Sequence, residues 1–283
     1  MSAATDLRAR AEAEAAALPA LLLAAERLAA TLAPGAHGLR RAGTGEEFWQ
    51  YRAAQPGESA ATIDWRRSAR SDGAFVRDRE RVSPQAAALW VSDAPGMNWT
   101  GAPGRETKRD RARLLALALA AALLRGGERV GWLGDIPRAG RAELPRLAQA
   151  LLRPGTSVPD PAGLRPAQRV MLLDDCMGDP VALEAVLSRA AAMGVAGVLL
   201  QILDPVEEAF PFTGAALFRA PGAGTRHDTR DAAGLQAAYR ARLEERRARL
   251  AAACTAAGWV FGTASTAAPP FEALLWLVTM LEG

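Results

Sequence analysis

The sequence predicts an α/β protein with a doubly wound, mostly parallel sheet, preceded by an N-terminal helix and a small β-containing subdomain. Three observations carry this. From residue 86 onward, short strand-like runs alternate with helical stretches. Those runs are apolar throughout rather than at every second position, as in a parallel sheet covered on both faces. Before residue 86, glycine and proline break up the pattern and helical periodicity disappears. The expected division is 1–37 helical, 38–85 small subdomain and 86–283 sheet domain.

Residues 5–33 are rich in alanine and leucine and end at Pro34-Gly35, a helix terminator. Leu7, Leu18, Leu22, Leu28 and Leu32 offer an apolar side, and Pro19 marks a kink or the start of a second segment. This helix is expected to pack on its own domain; the alternative is a docking helix for another protein. In the next region, 48–52 and 74–81 read as strands or extended arms. The sheet domain follows with strands at 87–92, 128–133, 169–174, 197–203 and 259–263. Helices are expected at 105–125, 141–152, 180–193, 229–257 and 270–281, and a hairpin at 213–219. Right-handed crossovers would wind these strands into one sheet.

Half of the residues are apolar and 23% are charged, enough for a sizeable core without disulfides or a structural metal. Cys176 and Cys254 are expected as buried thiols in a reducing compartment. The net charge of +3 comes from 34 basic against 31 acidic residues, so it says little about partners. Lys108 is the only lysine, which reads as the codon bias of a GC-rich bacterial genome. No signal peptide is visible, and the uncharged alanine- and leucine-rich stretches 15–25 and 114–124 are too short to span a bilayer. A cytoplasmic location and no membrane span are therefore expected. Neither G-x-x-x-x-G-K-[ST] nor G-x-G-x-x-G joins a strand to a helix, so no nucleotide cofactor is expected.

The most specific local signal is Gly43-Thr44-Gly45-Glu46-Glu47-Phe48, followed by Arg52, Pro56-Gly57, Ile63-Asp64-Trp65 and Ser68-Ala69-Arg70. This order resembles the domain-of-unknown-function family 58 (DUF 58), with G-x-G-x-E-F, R-x-Y-x-P-G-D, I-D-W and S-A-R segments. Here Glu58 stands for the family's aspartate and Ala54 for its tyrosine. The block from Leu203 to Phe212, including Asp204 and Glu207, also looks like one found in many members. The resemblance covers about residue 38 to the C-terminus. It implies a von Willebrand A-like fold and association with a MoxR-type AAA+ ATPase.

A von Willebrand A domain holds a divalent cation through D-x-S-x-S after its first strand, with a threonine and a second aspartate from later loops. Hard oxygen donors suit Mg²⁺. This chain has Ser92-Asp93-Ala94-Pro95-Gly96-Met97 instead. If Asp93 is the first ligand, the serines have become Pro95 and Met97. If Met97 matches the methionine that often follows the motif, the ligand positions hold Ser92, Ala94 and Gly96. Under either alignment only a remnant site, Ser92, Asp93 and Asp175, is expected, without a bound metal.

The functional expectation is a non-enzymatic protein-interaction module, an adaptor or accessory partner of such an ATPase. Its surface would include the sheet top near Asp93 and Asp175, and the signature residues Asp64, Trp65, Arg66 and Arg70, since tryptophan and arginine commonly anchor interfaces. The structural alternative has Trp65 filling a local core. A metal-dependent hydrolase would use Asp174, Asp175, Asp204, Glu207 and Glu208, which fall at strand ends. Against it, the two histidines, His37 and His227, are not ligand-spaced, and no G-x-S-x-G elbow occurs. A nucleic-acid binder would use the arginines at 66, 67, 70, 77, 79 and 81. They alternate with Asp64, Asp72, Asp78 and Glu80, which favours internal ion pairs and excludes a continuous phosphate track.

Overall fold

A computed structural model describes residues 3–32, 50–53, 65–68, 75–78, 86–222, 224 and 226–282. The chain divides into two compact units, one of residues 1–36 with 85–283 and one of residues 37–84.

In the smaller unit, β1 (Gln50–Ala53) pairs antiparallel with β2 (Phe75–Asp78). A single helical turn, α2 (Trp65–Ser68), is tied to β2 by the Phe75 amide, which donates to Ser68 Oγ at 2.9 Å.

The larger unit holds a five-stranded sheet in which every pairing is parallel. Its strands are β3 (Ala86–Val91), β4 (Arg129–Trp132), β5 (Gln168–Asp174), β6 (Ala196–Leu203) and β9 (Val260–Ser265). Their spatial order is β4-β3-β5-β6-β9. The first strand therefore lies inside the sheet, with the chain winding one way to β4 and the other way through β5. Ligand crevices of open α/β sheets form at the strand ends beside such a reversal.

One face is covered by α5 (Pro180–Met193) and α7 (Gln236–Ala256), whose Leu183, Val186, Leu187, Leu250 and Cys254 join Ala88, Trp90, Val170 and Leu172 in one core. The other face is covered by α3 (Lys108–Arg125) and α8 (Pro270–Glu282). Helix α3 is buried on nearly all sides from Ala112 to Leu124, and a helix apolar all round needs a second cover. That cover is α1 (Ala3–Ala30), which packs on α3 and on α4 (Glu143–Ala150). The N-terminal helix thus docks on its own chain. Of the expected leucine row, Leu32 is buried and Leu18, Leu22 and Leu28 are half-buried, and Ala25 and Ala29 complete the buried stripe. It runs unbroken through Pro19.

Most expected elements fall within three residues of their observed bounds. Two differ by more. The hairpin is longer: β7 (Ala216–Arg219) pairs with β8 (Arg226–Thr229), and α7 begins only at Gln236. Polar residues in β8 hid its strand character, since Arg226, His227 and Asp228 are all exposed. Both cysteines are free and buried. Among the described residues, no helix is long and apolar enough to cross a membrane.

Packing is close where β6 passes β5 and Trp259, the residue before β9. A Cβ on Gly197 would collide with the Val170 carbonyl oxygen and stand 2.7 Å from the Trp259 indole. That indole is itself held by a 2.7 Å hydrogen bond to the Val195 carbonyl, so neither neighbour can yield cheaply. Gly197→Ala should therefore destabilise the domain by about 1–3 kcal/mol, seen as a lower denaturation midpoint with an unchanged slope.

Candidate functional site

The carboxyl ends of β3, β5, β6 and β9 converge on a cluster of buried polar side chains: Ser92, Lys108, Arg111, Asp174, Asp175, Gln201, Asp204 and Thr266. Charged residues are rarely buried unless paired, and the pairing here is specific.

Lys108 sits at its centre, with 1% of its side chain exposed. Its ammonium donates to Asp175 Oδ2 at 2.8 Å and to Glu207 Oε1 at 2.6 Å, and lies 5.9 Å from the centroid of the Trp99 ring. The lysine is placed by the start of α3, where Thr107 and Asp110 form a reciprocal capping box. A second capping box opens α6 (Pro205–Ala209): Asp204 is the N-cap, and Glu207 Oε2 accepts from the Asp204 amide at 2.9 Å. This box aims the other oxygen of Glu207 at Lys108. Burial raises the Glu207 pKa, and the neighbouring ammonium opposes that rise.

Asp204 is fully buried and receives five hydrogen bonds. Arg105 Nη1 reaches both carboxylate oxygens at 3.0 Å. The Gly101 and Val206 amides donate at 3.1 and 2.9 Å, and the Thr266 hydroxyl at 3.3 Å. Burial alone would push its pKa up, but the amide and Arg105 hydrogen bonds outweigh it and hold the pKa below the usual value. Gly101 is required by contact, because a Cβ there would stand 2.6 Å from Asp204 Oδ1.

Arginines close the remaining sides. Arg111 pairs with Glu106 and donates to the carbonyls of Ser265, Thr266 and Ala268, fastening α3 to the loop after β9. Arg247 on α7 bonds Gln201 and Glu208, and Gln201 in turn donates to the Asp175 carbonyl at 3.0 Å. Arg246 donates to the carbonyls of Cys176 and Gly178, holding the loop that follows β5.

The expected residues divide between two sides of the crevice. Asp93 turns away from Asp175: its oxygens accept from Arg109 Nη1 and the Gly155 amide, each at 3.1 Å. It borders a cavity of about 280 Å³ whose lining includes Arg109, Arg113, Trp132, Arg153 and Thr156. Asp175, Asp204 and Glu207 do come together, joined through Lys108 and the α6 cap. Ser92 Oγ accepts from the Ala94 amide and bonds Asp174. Position 96 faces Asp175 directly, since a Cβ on Gly96 would lie 2.7 Å from Asp175 Oδ2. In the smaller unit, Trp65 is 61% exposed and Arg66 is exposed, so that tryptophan fills no core. Asp64 and Arg70 lie outside the described residues, as do Arg79 and Arg81.

Sequence reasoning missed the cations. Lys108, Arg105, Arg111 and Arg247 are neutralising partners, and none was singled out. A signal existed for one of them. In a chain where arginine takes almost every basic position, a lone lysine stands out.

Fold and site together define a parallel-sheet α/β protein whose strand-end crevice is filled by its own ion pairs. Residues 50–249 match the family model described as "Protein of unknown function DUF58", and the chain belongs to that family. The match begins after Gly43–Phe48 and stops before β9, a shorter span than the motifs suggested. Comparisons with curated proteins and with solved structures gave no match.

Asp174 is the exception among these carboxylates. It is 5% exposed, and its Oδ1 has no hydrogen-bond partner. Burial first, and then the negative charge of Asp175, push its pKa up to about 6. The folded state therefore holds this proton more tightly than the unfolded chain does. Its cost is absent below about pH 4, grows as the pH rises, and levels off above about pH 6, at roughly 3 kcal/mol. Asp174→Asn should raise Tm at pH 7.5, and thermal melts at lower pH should show that gain shrinking towards zero near pH 4.

Proposed function

We propose that this protein is a non-enzymatic interaction module of von Willebrand A-like type with a degenerate metal-ion-dependent adhesion site. In this reading it serves as an adaptor or accessory partner of a MoxR-type AAA+ ATPase. The observation that carries the reading is the commitment of strand-end carboxylates to internal cations. Asp175 and Glu207 meet Lys108, Asp204 meets Arg105, Glu208 meets Arg247 and Asp93 meets Arg109.

Such pairing argues against hydrolysis. A general base or metal ligand needs an accessible lone pair, and these oxygens are already accepting from the protein. The residues present do not fit a divalent ion. Asp93 points elsewhere, Asp175 is bonded to Lys108 and to the Met177 amide, and Gly96 offers no side-chain oxygen. Among the described residues, no group of three or more His, Cys, Asp or Glu is arranged to hold a metal. The orientation of position 96 towards Asp175 supports the alignment in which Ser92, Ala94 and Gly96 replace the ligand triplet.

What remains at the sheet top is a rigid polar surface beside the cavity bordered by Asp93, Arg109, Arg113 and Arg153. Arginine-rich rims of this kind suit acidic side chains of a protein partner. Affinity capture with the full chain, from the organism that encodes it, tests the reading. An AAA+ ATPase should be recovered, and excess EDTA should leave its recovery unchanged. Repeated captures without any ATPase would count against the adaptor role.

A further inference from the structure

We propose that the Lys108 ammonium is a resident cation, replacing a divalent ion as the charge that holds the β5 and β6 strand ends together. The inference deepens the degenerate-site reading above and rests on it. Three features support it beyond ordinary ion pairing.

The first is reach. Asp175 follows β5 and Glu207 lies in α6 after β6, so neighbouring strand ends supply one carboxylate each. The cation, at 2.8 and 2.6 Å, bridges these two carboxylates. Two carboxylates sharing a buried cation from separate loops is the arrangement a metal ion produces. Here the charge is covalently part of α3.

The second is exclusion of water. With 1% of the lysine, 3% of the Asp175 and 17% of the Glu207 side chain exposed, solvent screens this charge little. Removing the amine would leave two carboxylates with no counter-ion.

The third is fit. The ammonium is compact and lies 5.9 Å from the Trp99 ring centroid, while Gly96 leaves no room for a side chain beside Asp175 Oδ2. A compact ammonium meets both carboxylates as a point charge, whereas a planar, five-donor guanidinium would bring more donors than these two contacts use.

A built-in cation makes the site permanently charged and independent of cellular Mg²⁺. It also predicts a conversion. Lys108→Ala opens a space lined by Asp175 and Glu207, with Asp174 next in the chain, which an added cation can fill.

The full-length wild type and Lys108→Ala are to be melted in EDTA, in MnCl₂ and in ethylammonium chloride, with Mn²⁺ uptake followed by calorimetry. Wild type should bind no Mn²⁺ and melt identically in all three. The variant should lose roughly 10 °C of Tm in EDTA. Mn²⁺ or ethylammonium should restore most of the loss, which a purely packing role would not allow. Wild-type uptake of one Mn²⁺, or a variant that neither cation rescues, would overturn the proposal.

If Lys108→Ala does not fold, Lys108→Met is compared with the triple variant Lys108→Met, Asp175→Asn, Glu207→Gln. Charge balance predicts that the triple variant melts well above the single one. An equal or lower Tm overturns it. None of these readouts involves the ATPase, so failure here and failure of the adaptor reading can be told apart.

Discussion

Taking a charge out of water costs several kcal/mol unless opposite charge meets it in fixed geometry. In this fold the ammonium of Lys108 meets two carboxylates, and each of those is anchored by a further structural device. Asp175 directly follows a central strand, its second oxygen taken by the Met177 amide. Glu207 belongs to a capping box whose partner, Asp204, is gripped by Arg105, Thr266 and two amides. Disturbing the lysine therefore disturbs the ends of β5 and β6 and the start of α6 together.

Helix α3 makes this possible by being two things at once. Its body is apolar on every side and is held between the sheet and α1. Its first turns carry Lys108, Arg109 and Arg111, with Arg105 just before them. Cations at a helix N-terminus oppose the helix dipole, which favours negative charge there. Asp110 offsets part of this locally, through the capping box. The rest is offset by tertiary pairing with Asp93, Glu106, Asp175 and Glu207. The apolar body fixes the helix in depth, and the charged end fixes what the strand ends can bind.

Much of the sheet was legible in the sequence because its strands are short apolar runs closed by glycine, proline or aspartate. The runs AALWV, RVMLLD and GVLLQIL carry that pattern plainly, and Asp179-Pro180 with Gly194 bounds α5 by ordinary capping chemistry. Strand β8 was not legible, since an exposed strand of Arg226, His227 and Asp228 has no apolar face to betray it. The stripe on α1 was legible through its leucines, whereas Ala25 and Ala29 were not read into it because alanine contributes little to an apolar pattern. At the site, the acidic residues could be read from their position after strands. Their partners could not, because Lys108 and Asp175 are 67 residues apart and only the fold brings them together. The arginines of α7 at 246 and 247 likewise reach inward, to the loop after β5 and to Gln201, across separations no local pattern spans.

The central claim concerns one amine, and the composition makes it directly observable. Because Lys108 is the only lysine in the chain, labelling lysine with ¹⁵N and ¹³C places the ε-ammonium reporter at this position alone. A buried, doubly paired ammonium should give one sharp NMR signal in slow exchange with water at neutral pH, and Mn²⁺ should leave it unbroadened. A fast-exchanging signal typical of an exposed lysine, or broadening by Mn²⁺ at low concentration, would contradict the account.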